Sequence, residues 1–339
     1  MEQDKYFENP YPAVLTYPWP HECNDYVAET EKDVDDWLRN DYSTFLSEKM
    51  IQKYYRNALH LTTARMLPGA ISYAHARVCC RQMVWTTIFD DYYGPATVTE
   101  MDAARKRVVA ILKGADPEPG ALAMDIEMLR MREEYKAIAP VEWLVRFTNN
   151  MDRYLKYGMM GEAPYKTTGQ YPKSGSYLLL REYAVSVPIF ALWPEIGLNS
   201  FLSSDLAAHP IIQRFQSLTS RIIGLQNDVY SVAKELANGK QETINLVLIL
   251  QHEQKISLEE AVKEVVRIHD ADVAEFVALQ EGLPHFGPDH ERIHKQVYEH
   301  ARYLGKMIAG LNHWYFTDTV RYHSMTLNAE SEYVKPLTV

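Results

Sequence analysis

The sequence predicts an all-α protein, a single-domain bundle of about ten or more helices, and in such a bundle binding sites lie between facing helices. Apolar residues recur at three- and four-residue spacing over most of the 339-residue chain, and the alternating pattern of strands is almost absent. Hydrophobic residues make up 47% and charged residues 24%, which is the balance of a globular protein with a sizeable core. No repeat or long linker divides the chain, so one large domain is expected.

The chain is predicted to have an irregular arm, a helical domain and a short tail. Residues 1–30 form the predicted N-terminal arm, because the first twenty residues hold four prolines and three tyrosines. The helical domain is predicted to cover residues 31–323. Residues 324–339 are expected to form a flexible C-terminal tail.

Helical windows follow one another from about residue 34 to residue 316. Thr97 with Glu100 and Ser257 with Glu260 fit capping boxes, which satisfy free amides at helix starts. Prolines and glycines mark the turns between windows. The windows lie around 34–61, 70–93, 97–113, 121–137, 141–160, 174–192, 205–238, 242–252, 257–281 and 290–316.

Charge and composition exclude several classes of protein. The net charge is −10, and no cluster of basic and aromatic residues is present, so nucleic acid is not the expected partner. The N-terminus is acidic where a signal peptide would be basic, and no apolar stretch is long enough for a membrane span. The three cysteines have no metal-site spacing, and the adjacent pair Cys79 and Cys80 is a poor disulfide. We therefore expect a soluble, cytoplasmic protein.

The stretch "NDVYSVAKE" places three different oxygen donors on one helix face. Asn227, Ser231 and Glu235 are each four residues apart, and such residues lie one above another on an α-helix. Amide, hydroxyl and carboxylate oxygens suit Mg²⁺ better than zinc or copper. Lys234 is not a metal ligand but is suited to a phosphate. A solvated polar face is the alternative, although the preceding segment "IIQRFQSLTSRIIGLQ" is strongly apolar.

A second oxygen-rich point is predicted upstream, in "WTTIFDDYYG". Asp90 and Asp91 end an apolar helical segment, and adjacent carboxylates repel each other unless a cation lies between them. A structural helix-end pair is the alternative. Together with the motif at 227–235, the pair is a candidate second metal site.

These segments resemble class I terpene synthases, the terpene cyclases, of the compact single-domain microbial type. The resemblance covers roughly residues 35–323 and includes "FDDYY", "NDVYSVAKE" and the pair Arg321/Tyr322. "NDVYSVAKE" matches the family's second metal motif, (N/D)Dxx(S/T)xx(K/R)(E/D), at every specified position. The resemblance implies metal ligation by Asp90, Asp91, Asn227, Ser231 and Glu235.

Four side chains are expected to bind a diphosphate in such an enzyme. The resemblance assigns this role to Arg181, Lys234, Arg321 and Tyr322. Arg181 lies in an apolar stretch, and a buried arginine needs an anion. A structural salt bridge from Arg181 to Glu182 or another acid is the alternative.

Two positions depart from the family pattern. Gly94 and Pro95 stand where the first motif normally carries a third acid, which puts in doubt how Asp91 is held. Ala184 and Val185 stand where a glycine often marks a helix break after the arginine. We expect activity to survive, because the first aspartate of the family does most of the direct ligation.

The resemblance implies Mg²⁺-dependent ionisation of a linear prenyl diphosphate and cyclisation of the resulting cation. Farnesyl diphosphate is favoured as substrate, geranylgeranyl diphosphate is nearly as well supported, and diphosphate is released. Three Mg²⁺ ions are expected, with Mn²⁺ as a substitute, and a homodimer is one expected assembly. Aromatic faces stabilise cations by about 0.5 to 2 kcal/mol each. Candidates for the cavity lining, with plain core packing as the alternative, are Trp85, Phe89, Tyr93, Phe190, Trp193 and Trp314.

Three other functions compete with this reading. A chain-elongating prenyl diphosphate synthase would carry a second aspartate-rich motif in place of "NDVYSVAKE". "HERIH" at 290–294 fits the zinc metalloprotease signature, with His290 and His294 as ligands and Glu291 as base, but the third histidine of metzincins is absent. A non-catalytic helical scaffold would not need to bury charge.

Overall fold

The protein is a bundle of α-helices, as the sequence predicts. The computed structural model describes residues 14–237 and 242–322, and every regular element in those ranges is helical. Helices α1 to α16 are Val27–Asp36, Glu48–Arg56, Leu59–Met66, Tyr73–Tyr93, Val98–Leu112, Ala123–Ile138, Val141–Arg153, Met160–Thr168, Ser174–Ala184, Val187–Phe190, Trp193–Gly197, Ser204–Ala207, Pro210–Ala237, Leu246–Gln254, Leu258–Glu281 and His290–Thr317. Two π-helical segments, Trp37–Asp41 and Tyr154–Met159, and one 3₁₀ turn, Gly287–Asp289, complete the set.

Long helices surround the centre of the bundle. Helix α13 packs against α9, α15 and α16, while α16 also contacts α3, and α4 lies between α3 and α6. The apolar faces of these helices form a continuous core that includes the fully buried rings of Trp85, Trp143 and Trp193. Helix stability here comes mainly from burying such faces.

Both predicted capping boxes are confirmed. Thr97 accepts a hydrogen bond from the Glu100 amide at the start of α5, and Glu100 bonds back to the Thr97 amide. Ser257 and Glu260 make the same reciprocal pair at the start of α15. Each box satisfies two amides that have no partner inside the helix.

Two predicted windows are interrupted in the structure. The first helix begins at Val27, inside the predicted arm, and the window 34–61 is divided among a π-helical segment and two short helices. Ser47 caps α2 by accepting from the Met50 amide, and Ala58 adopts a left-handed conformation (φ 53°) before α3. The predicted tail, and the first 13 residues of the predicted arm, lie outside the described residues.

The window 174–192 breaks directly after α9. Ser186 has φ 62°, which an α-helix does not accommodate, and α10 begins at Val187. The π-helical segment approaches this break so closely that a Cβ atom on Gly158 would lie 2.7 Å from Cα of Ala184. The break therefore forms without a glycine at 184 or 185, and Gly158 on the facing segment leaves room for the Ala184 backbone.

No helix in the described part of the chain is long and apolar enough to cross a membrane.

Candidate active site

Both oxygen-rich clusters line one cavity of about 330 Å³. Helix α4 presents Met83, Thr86, Thr87 and Asp90 to it, at the three- and four-residue spacing of one helix face. Helix α13 presents Asn227, Ser231, Lys234 and Glu235 from another wall. The predicted metal-binding and diphosphate-binding side chains therefore converge on a common space.

The three oxygen donors of α13 interact with one another and with neighbouring helices. The Ser231 hydroxyl donates to Glu235 Oε1 over 2.6 Å, and Asn227 Oδ1 accepts from the Arg181 guanidinium over 2.7 Å. Removal from water, reinforced by Glu242, raises the pKa of Glu235 to about 7. A carboxyl group with such a raised pKa gains from a nearby cation.

Arg181 is held by acids of two helices, and Glu182 is not one of them. Its guanidinium lies 2.9 Å from Asp228 and 4.0 Å from Glu162. Glu182 instead accepts from the Ser217 hydroxyl. A Cβ atom on Gly224 would lie 2.9 Å from Cγ of Arg181, so the glycine leaves room for the arginine stem.

Asp228 is the one specified position of the motif in "NDVYSVAKE" for which the sequence predicts no role. Its carboxylate is 1% exposed and accepts from the Tyr177 hydroxyl over 2.8 Å and from the Leu246 amide over 3.0 Å. Together with the Arg181 contact, these bonds join α9, α13 and α14. Asp228 therefore fixes Arg181 at the cavity wall.

Asp91 is held without the missing third acid of its motif. It accepts from Lys53 over 2.9 Å, from the Tyr54 hydroxyl over 3.0 Å and from Arg321 over 3.2 Å. Burial opposes ionisation, but Arg321 and Lys53 outweigh it and hold the pKa of Asp91 well below its usual range. Although Gly94 and Pro95 replace the third acid, Asp91 is therefore held by side chains of α2 and by Arg321.

Asp90 has a different environment from Asp91. No side chain in residues 14–237 and 242–322 forms a hydrogen bond or ion pair with its carboxylate. Desolvation raises its pKa, opposed by Lys166 and reinforced by Glu162 and Asp91. A bound cation would therefore stabilise the charged form of Asp90. For Asp91, Lys53 and Arg321 already do so.

The C-terminal segment completes the cavity rim. The Tyr322 hydroxyl accepts from Asn227 Nδ2 over 3.1 Å, and the Tyr315 hydroxyl accepts from the same amide over 2.8 Å. Lys234 lies 5.2 Å from the centre of the Tyr322 ring. Burial and the neighbouring Arg321 lower the pKa of Lys234 to about 8, so an anion beside it is favoured.

The sequence reading missed several ionic side chains of the site. Glu162, Lys166 and Glu242 line the cavity, and Lys166 lies 2.6 Å from Glu162. The pair has ordinary i,i+4 helix spacing, which is common on solvated faces. Only the packing of α8 against the π-helical segment and α9 brings it to the cavity.

The structure differs from the prediction for four of the six aromatic residues. Phe190 and Trp314 line the cavity. Trp85 stacks on Phe89 with ring centres 4.5 Å apart, and its indole donates to the Met124 carbonyl. These two side chains lie about 100° around α4 from the face that carries Thr86 and Asp90.

Trp193 and Tyr93 also point to other partners. The Trp193 indole donates to Gln82 over 2.9 Å within the core. The Tyr93 hydroxyl accepts from Arg107 over 2.8 Å near the surface. Core packing, the alternative for each of these residues, describes Trp85, Phe89 and Trp193.

The histidines of the zinc-protease alternative do not form a metal site among the described residues. His290 and His294 lie at the start of α16 with ring centres 5.3 Å apart, and His290 stacks on His285. Within the described ranges, no three His, Cys, Asp or Glu side chains are arranged to hold a metal ion. The donor set on α13 is of another kind, because it consists of amide, hydroxyl and carboxylate oxygens.

That donor set fits a hard divalent cation. Mg²⁺ prefers oxygen ligands, and Asn227, Ser231 and Glu235 supply three within one cavity. Across the cavity, the Asp90 carboxylate supplies a fourth oxygen donor. Arg181, Lys234 and Arg321 add positive charge suited to a polyanion that bridges such cations.

Comparison with known proteins shows to which family the chain belongs. The family model "Terpene synthase family 2, C-terminal metal binding" matches residues 81–275, more than half of the chain. Germacrene A synthase of Nostoc punctiforme is 23% identical, over 92% of this chain and 95% of that protein. A (+)-T-muurolol synthase of Roseiflexus castenholzii, described as (2E,6E)-farnesyl diphosphate cyclizing, is 27% identical over 84% of this chain and 85% of its own length.

A solved structure shows the same fold. The 2-methylisoborneol synthase of Streptomyces coelicolor A3(2), in complex with Mg²⁺ and 2-fluoroneryl diphosphate, superimposes with a TM-score of 0.76. It is 20% identical, and the match covers 92% of this chain and 98% of that chain. The chain therefore belongs to the terpene synthase family, as a compact class I terpene cyclase and a carbon–oxygen lyase with a metal-binding domain.

Proposed function

We propose that the protein converts farnesyl diphosphate into a cyclic sesquiterpene in a Mg²⁺-dependent reaction that releases diphosphate. The observation that carries the proposal is the common cavity: the aspartates of α4, the motif of α13 and the cations Arg181 and Arg321 all line it. The family membership and the farnesyl diphosphate activity named for the Roseiflexus relative support it.

Four side chains would bind the diphosphate. Arg181 is held toward the cavity by Asp228, and Arg321 by Asp91, so both guanidinium groups are already oriented before substrate arrives. Lys234 and the Tyr322 hydroxyl complete the set. The diphosphate would compete with Asp91 for Arg321, which exchanges one anionic partner for another.

Asp90, Asp91, Asn227, Ser231 and Glu235 would hold the metal ions, for which we propose three Mg²⁺ with Mn²⁺ as a substitute. Bound Mg²⁺ supplies Lewis acidity to the diphosphate as a leaving group. The Ser231 to Glu235 hydrogen bond holds two of these oxygens 2.6 Å apart. Asp91 would need to share its carboxylate with Lys53 and Arg321, so Asp90 is the principal donor on α4.

The apolar part of the cavity lining would shape the allylic cation and exclude water. It includes Leu59, Met66, Val187 and Ile223, together with the aromatic side chains of Phe190 and Trp314. Such rings stabilise a cation by about 0.5 to 2 kcal/mol each without reacting with it. A volume of about 330 Å³ is at the small end of ligand pockets, which favours the C15 chain over geranylgeranyl diphosphate.

The test is product analysis with C10, C15 and C20 prenyl diphosphates. We expect a cyclic C15 product and free diphosphate from farnesyl diphosphate with Mg²⁺, and neither in excess chelator. Asn227→Ala and Glu235→Ala should abolish turnover while the helical circular dichroism spectrum is retained. A longer prenyl diphosphate, formed when isopentenyl diphosphate is added as the C5 co-substrate, would instead indicate a chain-elongating enzyme. Full activity in chelator would refute the mechanism.

A further inference from the structure

Asn245 is a fully buried residue outside the family motifs described above. It precedes α14, and its Oδ1 atom accepts from the Val247 amide over 2.9 Å, which caps that helix. The motif of α13 ends ten residues earlier in the chain, at Glu235. Asn245 nevertheless lies beside the motif in the folded protein.

The amide nitrogen of Asn245 contacts the motif directly. Nδ2 donates to the Asp228 carbonyl and to Glu235 Oε2, each over 2.8 Å, and lies 3.4 Å from the Ser231 hydroxyl. An asparagine amide has two N–H donors, so the two shorter bonds use both. With its oxygen at the helix cap, Asn245 has every strong hydrogen-bonding group occupied.

These bonds fix the orientation of the Glu235 carboxylate. Oε2 accepts from Asn245, and Oε1 accepts from the Ser231 hydroxyl. A free glutamate side chain has several rotamers and would lose that freedom on binding a cation. With one oxygen held by a buried partner, much of this loss is already incurred in the folded protein.

We propose that Asn245 is a positioning residue that orients Glu235, and with it the neighbouring Ser231 hydroxyl, toward a divalent cation. The inference rests on the proposed function, since it takes Glu235 as a metal ligand. Asn245 acts through Glu235 and does not itself ligate. It also couples the start of α14 to the metal-binding face of α13.

Asn245→Asp separates the two roles of the side chain. Aspartate caps a helix as well as asparagine does, but it has no N–H donors and places a carboxylate against Glu235. Asn245→Ser retains a capping oxygen without the added charge. For both variants we expect metal affinity to fall roughly 10-fold or more, the usual effect of losing the hydrogen-bond partner of a ligand.

Two measurements test the inference. Calorimetric titration of Mn²⁺ into protein with inorganic diphosphate gives the affinity without turnover. The Mg²⁺ concentration for half-maximal turnover should rise by the same factor, and kcat at saturating Mg²⁺ should fall less. Ser257→Ala is the matched control: it removes the N-cap of α15 and should lower the melting temperature without changing metal affinity.

The possible failures are distinguishable. Metal affinity within 2-fold of the natural protein in both folded Asn245 variants overturns the positioning role. So does an equal loss of affinity in Ser257→Ala, which would mean that any lost cap has this effect. Absence of metal-dependent diphosphate release from the natural protein would refute the proposed function as well.

Discussion

Side chains of both charges share the cavity rim, and its two arginines are each placed by a specific carboxylate. Arg181 is oriented by Asp228 and Arg321 by Asp91, while Asp90 has no such partner among the described residues. The site thus combines cations held by structural anions with carboxyl groups whose pKa values are raised. Divalent cations and a diphosphate together satisfy both kinds of group.

Gly224→Ala tests the placement of Arg181. The new methyl group would lie 2.9 Å from Cγ of Arg181, so the guanidinium must move from Asn227 and Asp228. We expect kcat/KM for the prenyl diphosphate to fall at least about 10-fold, because a substrate-binding group that is displaced orients the substrate poorly.

Gly175→Ala is the matched control, because nothing lies within 4 Å of its added Cβ atom in α9. It should retain the natural kcat/KM. Equal activity of the two variants would show that Arg181 does not depend on the space at Gly224.

The raised pKa of Glu235 predicts how stability depends on pH in chelator. The folded protein holds a proton up to about pH 7, whereas the unfolded chain releases it near 4.5. Glu235 therefore contributes stability that is complete below pH 4.5 and is lost as the pH rises through 7. Urea unfolding measures the free energy of unfolding at pH 5 and at pH 8. The decrease between these two pH values should be about 1 to 2 kcal/mol smaller in Glu235→Gln than in the natural protein, after a discount for partial exposure. An identical loss in both proteins would contradict the raised pKa.

At the scale of helices, irregular segments position the site. The π-helical segment Tyr154–Met159 approaches the break between α9 and α10, where Ser186 adopts a left-handed conformation. The break turns the chain after Arg181, so that Val187 and Phe190 of α10 can line the cavity. A continuous helix over 174–192 would carry these residues along the axis of α9 instead.

Gly158→Ala tests this close approach. Its Cβ atom would lie 2.7 Å from Cα of Ala184, and backbone cannot move aside as a side chain end can. We expect destabilisation of about 1 to 3 kcal/mol, the usual range for an overpacked core, measured by urea unfolding. Gly175→Ala again serves as control, and equal stability of the two variants would show that the contact is not tight.

For the whole molecule, the cavity rim predicts that metal and diphosphate bind cooperatively. Mg²⁺ bound alone is repelled by the cations Arg181, Lys234 and Arg321. Diphosphate bound alone is repelled by the carboxylates Asp90, Glu162 and Glu235. Together the two ions neutralise each other and both sets.

Thermal unfolding measures this cooperativity. Mg²⁺ with inorganic diphosphate should raise the melting temperature by about 5 °C, corresponding to roughly 2.7 kcal/mol at 100 times Kd. Either ion alone should have much less effect, and Glu235→Gln should lose most of the shift. If the shift with both ions equalled the sum of the shifts with each ion alone, binding would not be cooperative.

Local patterns predicted much of this protein. Helix spacing alone aligned Asn227, Ser231 and Glu235, and both capping boxes follow from two residues three apart. The all-α fold class follows from the periodicity of the apolar residues. These features depend on neighbours within one or two helical turns, which the sequence displays directly.

Contacts between distant segments were decided by the tertiary structure. Lys53 and Arg321 reach Asp91 from 38 and 230 residues away, and no motif records either contact. The same holds for the core positions of Trp85 and Trp193, because a buried aromatic side chain has the same sequence pattern whether it faces a cavity or another helix. The sequence by itself determined the helices and the donors on the α13 face. The packing of helices determined which faces meet, since that depends on the shapes of all their side chains together.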